Sequence, residues 1–167
     1  MEEAERKFLL NFFPDIKQGK TINIKQAYLF NGIDINGDKC HLRLRVTDNK
    51  IAELTYKVNR KDKKYRDEFN SSLDIKEGLE LLENNPIQIH KIRYTGIFEN
   101  LENYDVIIDS YPLFKIIVVE IETHDNLKYP IENIKIPTFC GKEVTDDKNY
   151  SNIHLAFKAY ELKKQTK

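Results

Sequence analysis

The chain is short of cysteine, of clustered histidine, of net charge and of long apolar runs, and each shortage excludes a class of protein. Its two thiols, Cys40 and Cys140, stand far apart and form no CxxC pair. Neither a zinc ribbon nor a disulfide framework fits that spacing, and two buried free thiols are expected. The four histidines, His41, His90, His124 and His154, are scattered, and no catalytic role is assigned to them. No apolar stretch approaches the roughly 20 residues that cross a bilayer. The charged opening MEEAERK has neither the basic start nor the long apolar centre of a secretory signal. The expectation is a cytoplasmic chain with no membrane partner. The 27 basic residues are balanced by 27 acidic ones, so no global field draws the chain to nucleic acid, and none is expected as a partner. Any ionic site must come from local sorting of charge.

What the chain does have is β-like alternation. Segments 3–10, 22–31, 40–47, 51–59, 66–71, 88–95, 105–111 and 114–123 are rich in Ile, Val, Leu, Tyr, Phe or Thr and are followed by turn residues, as in NGIDINGDK and TDNK. Such short connections favour antiparallel neighbours. Two helices interrupt the pattern. Ser72 or Asp74 caps the first, which runs to Pro86 with Leu79 and Leu82 as its apolar stripe. The second covers 152–165, capped by Ser151 or Asn152, with Ile153, Ala156, Phe157 and Tyr160 on one face. The stretch from Lys128 to Asn149, with Pro130 and Pro137, has no assignment. With no repeat or linker, 1–167 reads as one domain of mainly β (α+β) class. The oligomeric state is not legible.

Side chains alternate across a strand, so Glu3, Glu5 and Lys7 share one face while Ala4, Arg6 and Phe8 take the other. The same sorting recurs. Arg43 and Arg45 stand opposite Leu42, Leu44 and Val46; Lys91 and Arg93 opposite Ile92 and Tyr94; Glu120 and Glu122 opposite Val119 and Ile121. Lys57, Arg66, Glu68 and Asp109 add to the series. A half-solvated sheet explains any one charged face. Like charges at strand spacing repel, however, and whole segments here are purely basic or purely acidic, so each cluster points to a counter-charge or ligand. The bases suit an extended anion such as polyphosphate, Arg with forked donors and Lys as a point charge. Carboxylates without a Cys or His cluster suit Mg²⁺ or Mn²⁺ over zinc. Eight strands closing into a barrel would turn one charged set of faces inwards.

The ordered series ExExK, RLRV, LTYK, RDEF, KIRY, a lone Asp before VVEIE, and the closing EVTDDKNYSN resembles the CYTH group of triphosphate tunnel metalloenzymes, from Glu3 to about Leu155. The resemblance implies a closed antiparallel eight-stranded β-barrel with flanking helices, whose tunnel binds a triphosphate-containing small molecule and a divalent metal. The metal-site carboxylates it implies are Glu3, Glu5, Asp109, Glu120 and Glu122. The phosphate-binding bases are Lys7, Arg43, Arg45, Lys57, Arg66, Lys91 and Arg93. Asn70 and Ile107 depart from the pattern, standing where members often carry acids.

Metal-dependent hydrolysis of inorganic tripolyphosphate is the expected activity, with Glu5, Glu120 or Lys91 as the group that activates or orients the attacking water. Thiamine or nucleoside triphosphates, or adenylate cyclisation, would need an organic pocket, for which Tyr56, Tyr65, Tyr94 and Phe98 are available. A non-catalytic polyphosphate-binding module is the alternative of another class. It would not need the five acids.

Overall fold

Period-two alternation carries about half of the described residues into strands in the computed structural model, which describes residues 4–60, 67–123 and 128–165. The strands are β1 (Ala4–Leu10), β2 (Lys17–Ile33), β3 (Lys39–Thr47), β4 (Ile51–Asn59), β5 (Asp67–Leu73), β6 (Gln88–Ile97), β7 (Asp105–Tyr111), β8 (Ile116–Thr123) and β9 (Cys140–Glu143). Two α-helices, α1 (Ile75–Glu83) and α2 (Asn152–Gln165), and two short 3-10 helices, Ile131–Asn133 and Lys148–Tyr150, are the other regular elements among the described residues. All eight expected strands are present. No helix among the described residues is long and apolar enough to cross a membrane.

The strand pairs β1–β8, β1–β9, β2–β3, β3–β4, β4–β5, β6–β7 and β7–β8 are antiparallel, and the hydrogen-bonded order is β5-β4-β3-β2-β6-β7-β8-β1-β9. Hydrogen bonds therefore do not close the sheet among the described residues, and a ninth strand is present where a closed ring of eight was expected. The reason lies in the unassigned stretch 128–149. Its residues Cys140–Glu143 pair with β1 on the side away from β8, so that edge of β1 is taken.

The chain divides into two compact units, one of Met1–Ile22 with Lys91–Tyr150, the other of Asn23–His90 with Ser151–Lys167. Strands β2 and β6 run through both. In the first unit Phe8, Val106, Ile108, Val119 and Ile121 form one apolar face of the sheet, and Phe98, Leu101, Ile131, Ile134, Phe139 and Cys140 cover it. The proline-bearing stretch thus serves as the lid of a core. Both cysteines are free and buried.

In the second unit Ala27, Leu44, Val46 and Ala52 pack against Leu82, with Leu73, Ile75 and Leu79 around them. Helix α1 starts where expected because the Asp74 carboxylate accepts hydrogen bonds from the Lys76 and Glu77 amides, at 2.8 and 3.4 Å. In α2 the buried residues are Leu155, Ala156 and Ala159, whereas Phe157 is exposed. Of the expected face of Ile153, Ala156, Phe157 and Tyr160, Ala156 is buried and Phe157 is exposed, so the buried stripe is rotated towards Leu155 and Ala159. Two alanines allow closer approach than the aromatic pair, and that decides the face.

A Cβ on Gly78 would lie 2.3 Å from the Ala52 Cβ. Alanine is usually worth about 1 kcal/mol more than glycine inside a helix, but this overlap is with a methyl fixed to the sheet backbone. We expect Gly78→Ala to lose about 1–3 kcal/mol of stability, seen as a lower urea midpoint, and Ala52→Gly to restore part of it. A raised midpoint in Gly78→Ala would refute the contact.

Candidate functional site

The first unit turns its apolar face to the core and its charges to the other face. Antiparallel pairing of β1 with β8 sets Glu5 directly opposite Glu122 and Lys7 opposite Glu120. Strand β7 then places Asp105 opposite Glu122 and Ile107 opposite Glu120, while Asp109 pairs with Arg93 of β6. Four strands so bring together residues drawn from both ends of the sequence. Carboxylate oxygens of Glu5, Glu120 and Glu122 all lie within 4.8 Å of one another.

The Lys7 ammonium sits 3.2 Å from both Glu5 and Glu120. Burial works against its charge, but Glu120 and Glu5 outweigh that and hold its pKa above the ordinary value. Glu122 fares differently. Burial, with Glu120 and Glu5 adding to it, pushes its carboxyl up to about 7. Three converging carboxylates with one member driven towards neutrality are short of positive charge, and their donors are all hard oxygens. The residues therefore fit a divalent cation of the Mg²⁺ or Mn²⁺ kind.

Asp109 is fully buried and already engaged. Its Oδ2 accepts from the equally buried Lys91 at 2.5 Å and from Arg93 Nη2 at 2.8 Å, and its Oδ1 accepts from Arg93 Nε at 2.8 Å. Burial alone would raise its pKa, but Lys91 and Arg93 bring it below the usual value. Lys91 is lowered to about 8, first by burial and then by Arg93, against the pull of Asp109. Arg93 also approaches Glu120 at 3.6 Å. Asp109 is thus not part of the three-carboxylate group among the described residues.

The second unit carries a basic row. Arg43 pairs with Thr55 and donates to its hydroxyl at 3.0 Å; Arg45 pairs with Glu53; Lys57 pairs with Glu68 and forms an ion pair with it. On the neighbouring β2, Gln26 stands opposite Arg45 and Tyr28 opposite Arg43, joined by a 2.7 Å hydrogen bond from the Gln26 amide to the Tyr28 hydroxyl. Gln26 is wholly buried, with its Oε1 unpartnered. Neither residue is marked in the sequence by a charge or a motif. A glutamine inside the apolar run of β2 was the available signal.

Glu3 and Arg66 lie outside the described residues, as do His124 and Tyr65. The remaining aromatics considered for an organic pocket are engaged in packing. Phe98 belongs to the core, Tyr94 meets Phe13 edge-on and Tyr56 stacks with Phe69. Of the two departures from pattern, Asn70 donates to Glu68 at 3.3 Å, and Ile107 is the strand partner of Glu120.

Comparison with known proteins places this geometry among relatives. Residues 1–125 match the model of the CYTH domain. Over 160 residues, 93% of this chain and 97% of the relative, the sequence is 28% identical to a protein named inorganic triphosphatase from Nitrosomonas europaea. A crystal structure of an inorganic triphosphatase superposes with a TM-score of 0.64 at 27% identity, over 93% of this chain and 95% of that one. Another, of a protein described as hypothetical, gives 0.65 at 27% identity, over 93% and 97%.

Replacing Asp109 by Asn would keep the shape of the side chain and leave two cations without their buried counter-charge. Breaking such a group costs about 3–5 kcal/mol. We expect that loss for Asp109→Asn in urea unfolding, and a loss below about 1 kcal/mol would mean that Lys91 and Arg93 find their compensation elsewhere.

Proposed function

Because the chain belongs to the CYTH domain family, we propose that it is a triphosphatase that hydrolyses inorganic tripolyphosphate with a divalent cation, Mg²⁺ or Mn²⁺, held by Glu5, Glu120 and Glu122. The observation that carries this reading is the convergence of those three carboxylates, two of which, Glu5 and Glu120, pair with the Lys7 ammonium. Similarity to an inorganic triphosphatase along nearly the whole chain supports the substrate. We read 1–167 as one such domain, since β2 and β6 are common to both compact units. Two reduced, buried thiols favour the cytoplasm as its compartment.

In this reading Lys7 and Arg93 neutralise phosphate oxygens beside the carboxylates. Arg43, Arg45 and Lys57 are assigned to phosphate as well, with Arg66 joining them and Glu3 joining the acids on the family pattern. Asp109 already accepts three charge-assisted hydrogen bonds, so its part is to hold Lys91 and Arg93 in place. Lys91 has no exposed surface. Of the three residues named for orienting the attacking water, Glu5 is the exposed one and is preferred, with Glu120 beside it. A bound divalent cation supplies charge neutralisation at the phosphate oxygens. Water adds in line at the terminal phosphorus as its bond to the bridging oxygen breaks, giving orthophosphate and pyrophosphate, and positioning with charge stabilisation supplies most of the acceleration.

Phosphate release from tripolyphosphate, ATP and thiamine triphosphate, each with Mg²⁺, Mn²⁺ or EDTA, tests the reading. Release that is fastest on tripolyphosphate and abolished by EDTA is the expected result. Cyclic AMP from ATP would mark a cyclase, and silence on all three would favour a binding module. Glu122→Gln should lower kcat by more than about 100-fold, since even outer residues of a metal site cost 10–100-fold, and should abolish the rise in Tm that Mn²⁺ gives the wild type. Arg43→Ala should raise KM for tripolyphosphate, and no kinetic change would remove Arg43 from the substrate-binding set.

A further inference from the structure

The closing motif EVTDDKNYSN has no part in the site as described, yet its second and third residues, Val144 and Thr145, bond the backbone of Lys7. Strand β9 ends at Glu143, opposite Phe8. Beyond it, the Val144 amide donates to the Lys7 carbonyl at 2.8 Å, and the Lys7 amide donates to the Thr145 hydroxyl oxygen at 3.0 Å. Both backbone groups of Lys7 are therefore taken from the β9 side. Across β1 and β8 the pair Lys7–Glu120 is then a non-hydrogen-bonded one, the kind whose side chains stand closer. The ammonium of Lys7 reaches Glu120 at 3.2 Å in agreement with that.

The acceptor at Lys7 is a side-chain oxygen where a continuing ladder would use a carbonyl. This lets the chain leave the sheet at once, in a turn closed by the Asp147 amide on the Val144 carbonyl at 3.1 Å. The Thr145 hydroxyl is itself fixed, since it donates to Glu143 Oε1 at 2.8 Å. Glu143 in turn accepts a fork from Arg6, at 2.9 Å from Nε and 2.6 Å from Nη2. Arg6 adjoins Lys7 in sequence and points to the opposite face. A chain of hydrogen bonds so runs from the Arg6 guanidinium through Glu143 and Thr145 to the Lys7 amide, and each member polarises the next.

We propose that Thr145, braced by Glu143 and Arg6, is a positioning residue that holds the Lys7 backbone so that its ammonium stays between Glu5 and Glu120. The proposal rests on the reading of Lys7 as a phosphate-binding base. A merely structural strap would affect stability alone. A positioning strap acts on substrate binding and acts only through Lys7.

The test is a double-mutant cycle of Thr145→Val, which keeps the shape and removes the oxygen, with Lys7→Ala; Thr145→Ser, which keeps the oxygen, is the rescue. KM and kcat for tripolyphosphate, its dissociation constant by calorimetry and the urea midpoint are read for each. Loss of one such hydrogen bond corresponds to a rise in KM of about three- to ten-fold for Thr145→Val, with Thr145→Ser close to wild type. In the Lys7→Ala background Thr145→Val should add nothing. A lower urea midpoint with KM and dissociation constant unchanged, or effects that add in the double variant, would overturn the proposal alone. Unchanged binding in Lys7→Ala would overturn the reading of Lys7 and the proposal with it.

Discussion

The register of β1 against β8 is the constraint on which the site depends. It sets Glu5 opposite Glu122 and Lys7 opposite Glu120, and a slip of β1 by one residue would turn Glu5 and Lys7 to the core face and bring Arg6 and Phe8 round in their place. Like charges directly opposed weaken a sheet. The acidic pair is tolerated because the register is fixed by the other face, where Phe8 pairs with Val119 and both are buried in the core with Phe98, Leu101, Ile131, Ile134 and Phe139. Hydrophobic burial on one side of the strand therefore holds in place an electrostatically unfavourable arrangement on the other.

Burying charge costs several kcal/mol per ion unless it is well paired, and the protein meets this at two levels. Deepest lies the group of Lys91, Asp109 and Arg93, in which one carboxylate serves two cations. Its excess positive charge is directed at the buried Glu120 through Arg93, so the buried group and the carboxylate cluster balance each other. The second unit repeats the scheme with less burial, Arg43 held by Thr55 and Lys57 by Glu68. In both units the functional candidates are strand residues whose positions the core dictates.

Much of this was legible from alternation alone. The eight main strands, the caps of α1 and α2, and the parity that puts charges on one face of each strand all follow from local pattern. What was not legible had no pattern to read. Strand β9 is only four residues long and follows two prolines, too short for a period to declare itself. The polar start of β2, KQGKT, carries no β-like alternation, yet it belongs to the strand. In α2 the apolar Leu155 and Ala159 lie beside the expected face, and only packing chooses them with Ala156 over Phe157. Gln26 was invisible because a single polar residue in an apolar strand is a weak signal until its burial is seen.

By itself the sequence determined which side chains share a strand face, because the two-residue period is a property of the covalent backbone. It also determined the kind of chemistry, since oxygen donors and forked cations suit a divalent metal and phosphate whatever the fold. Tertiary structure alone decided which of those charges meet. Glu5 joins Glu120 and Glu122, while Asp109 is taken up by Lys91 and Arg93 and stands apart from them. It also decided that Thr145, near the far end of the chain, secures the backbone of Lys7. Register between strands distant in sequence is set by the burial of whole faces, and no local pattern carries that information.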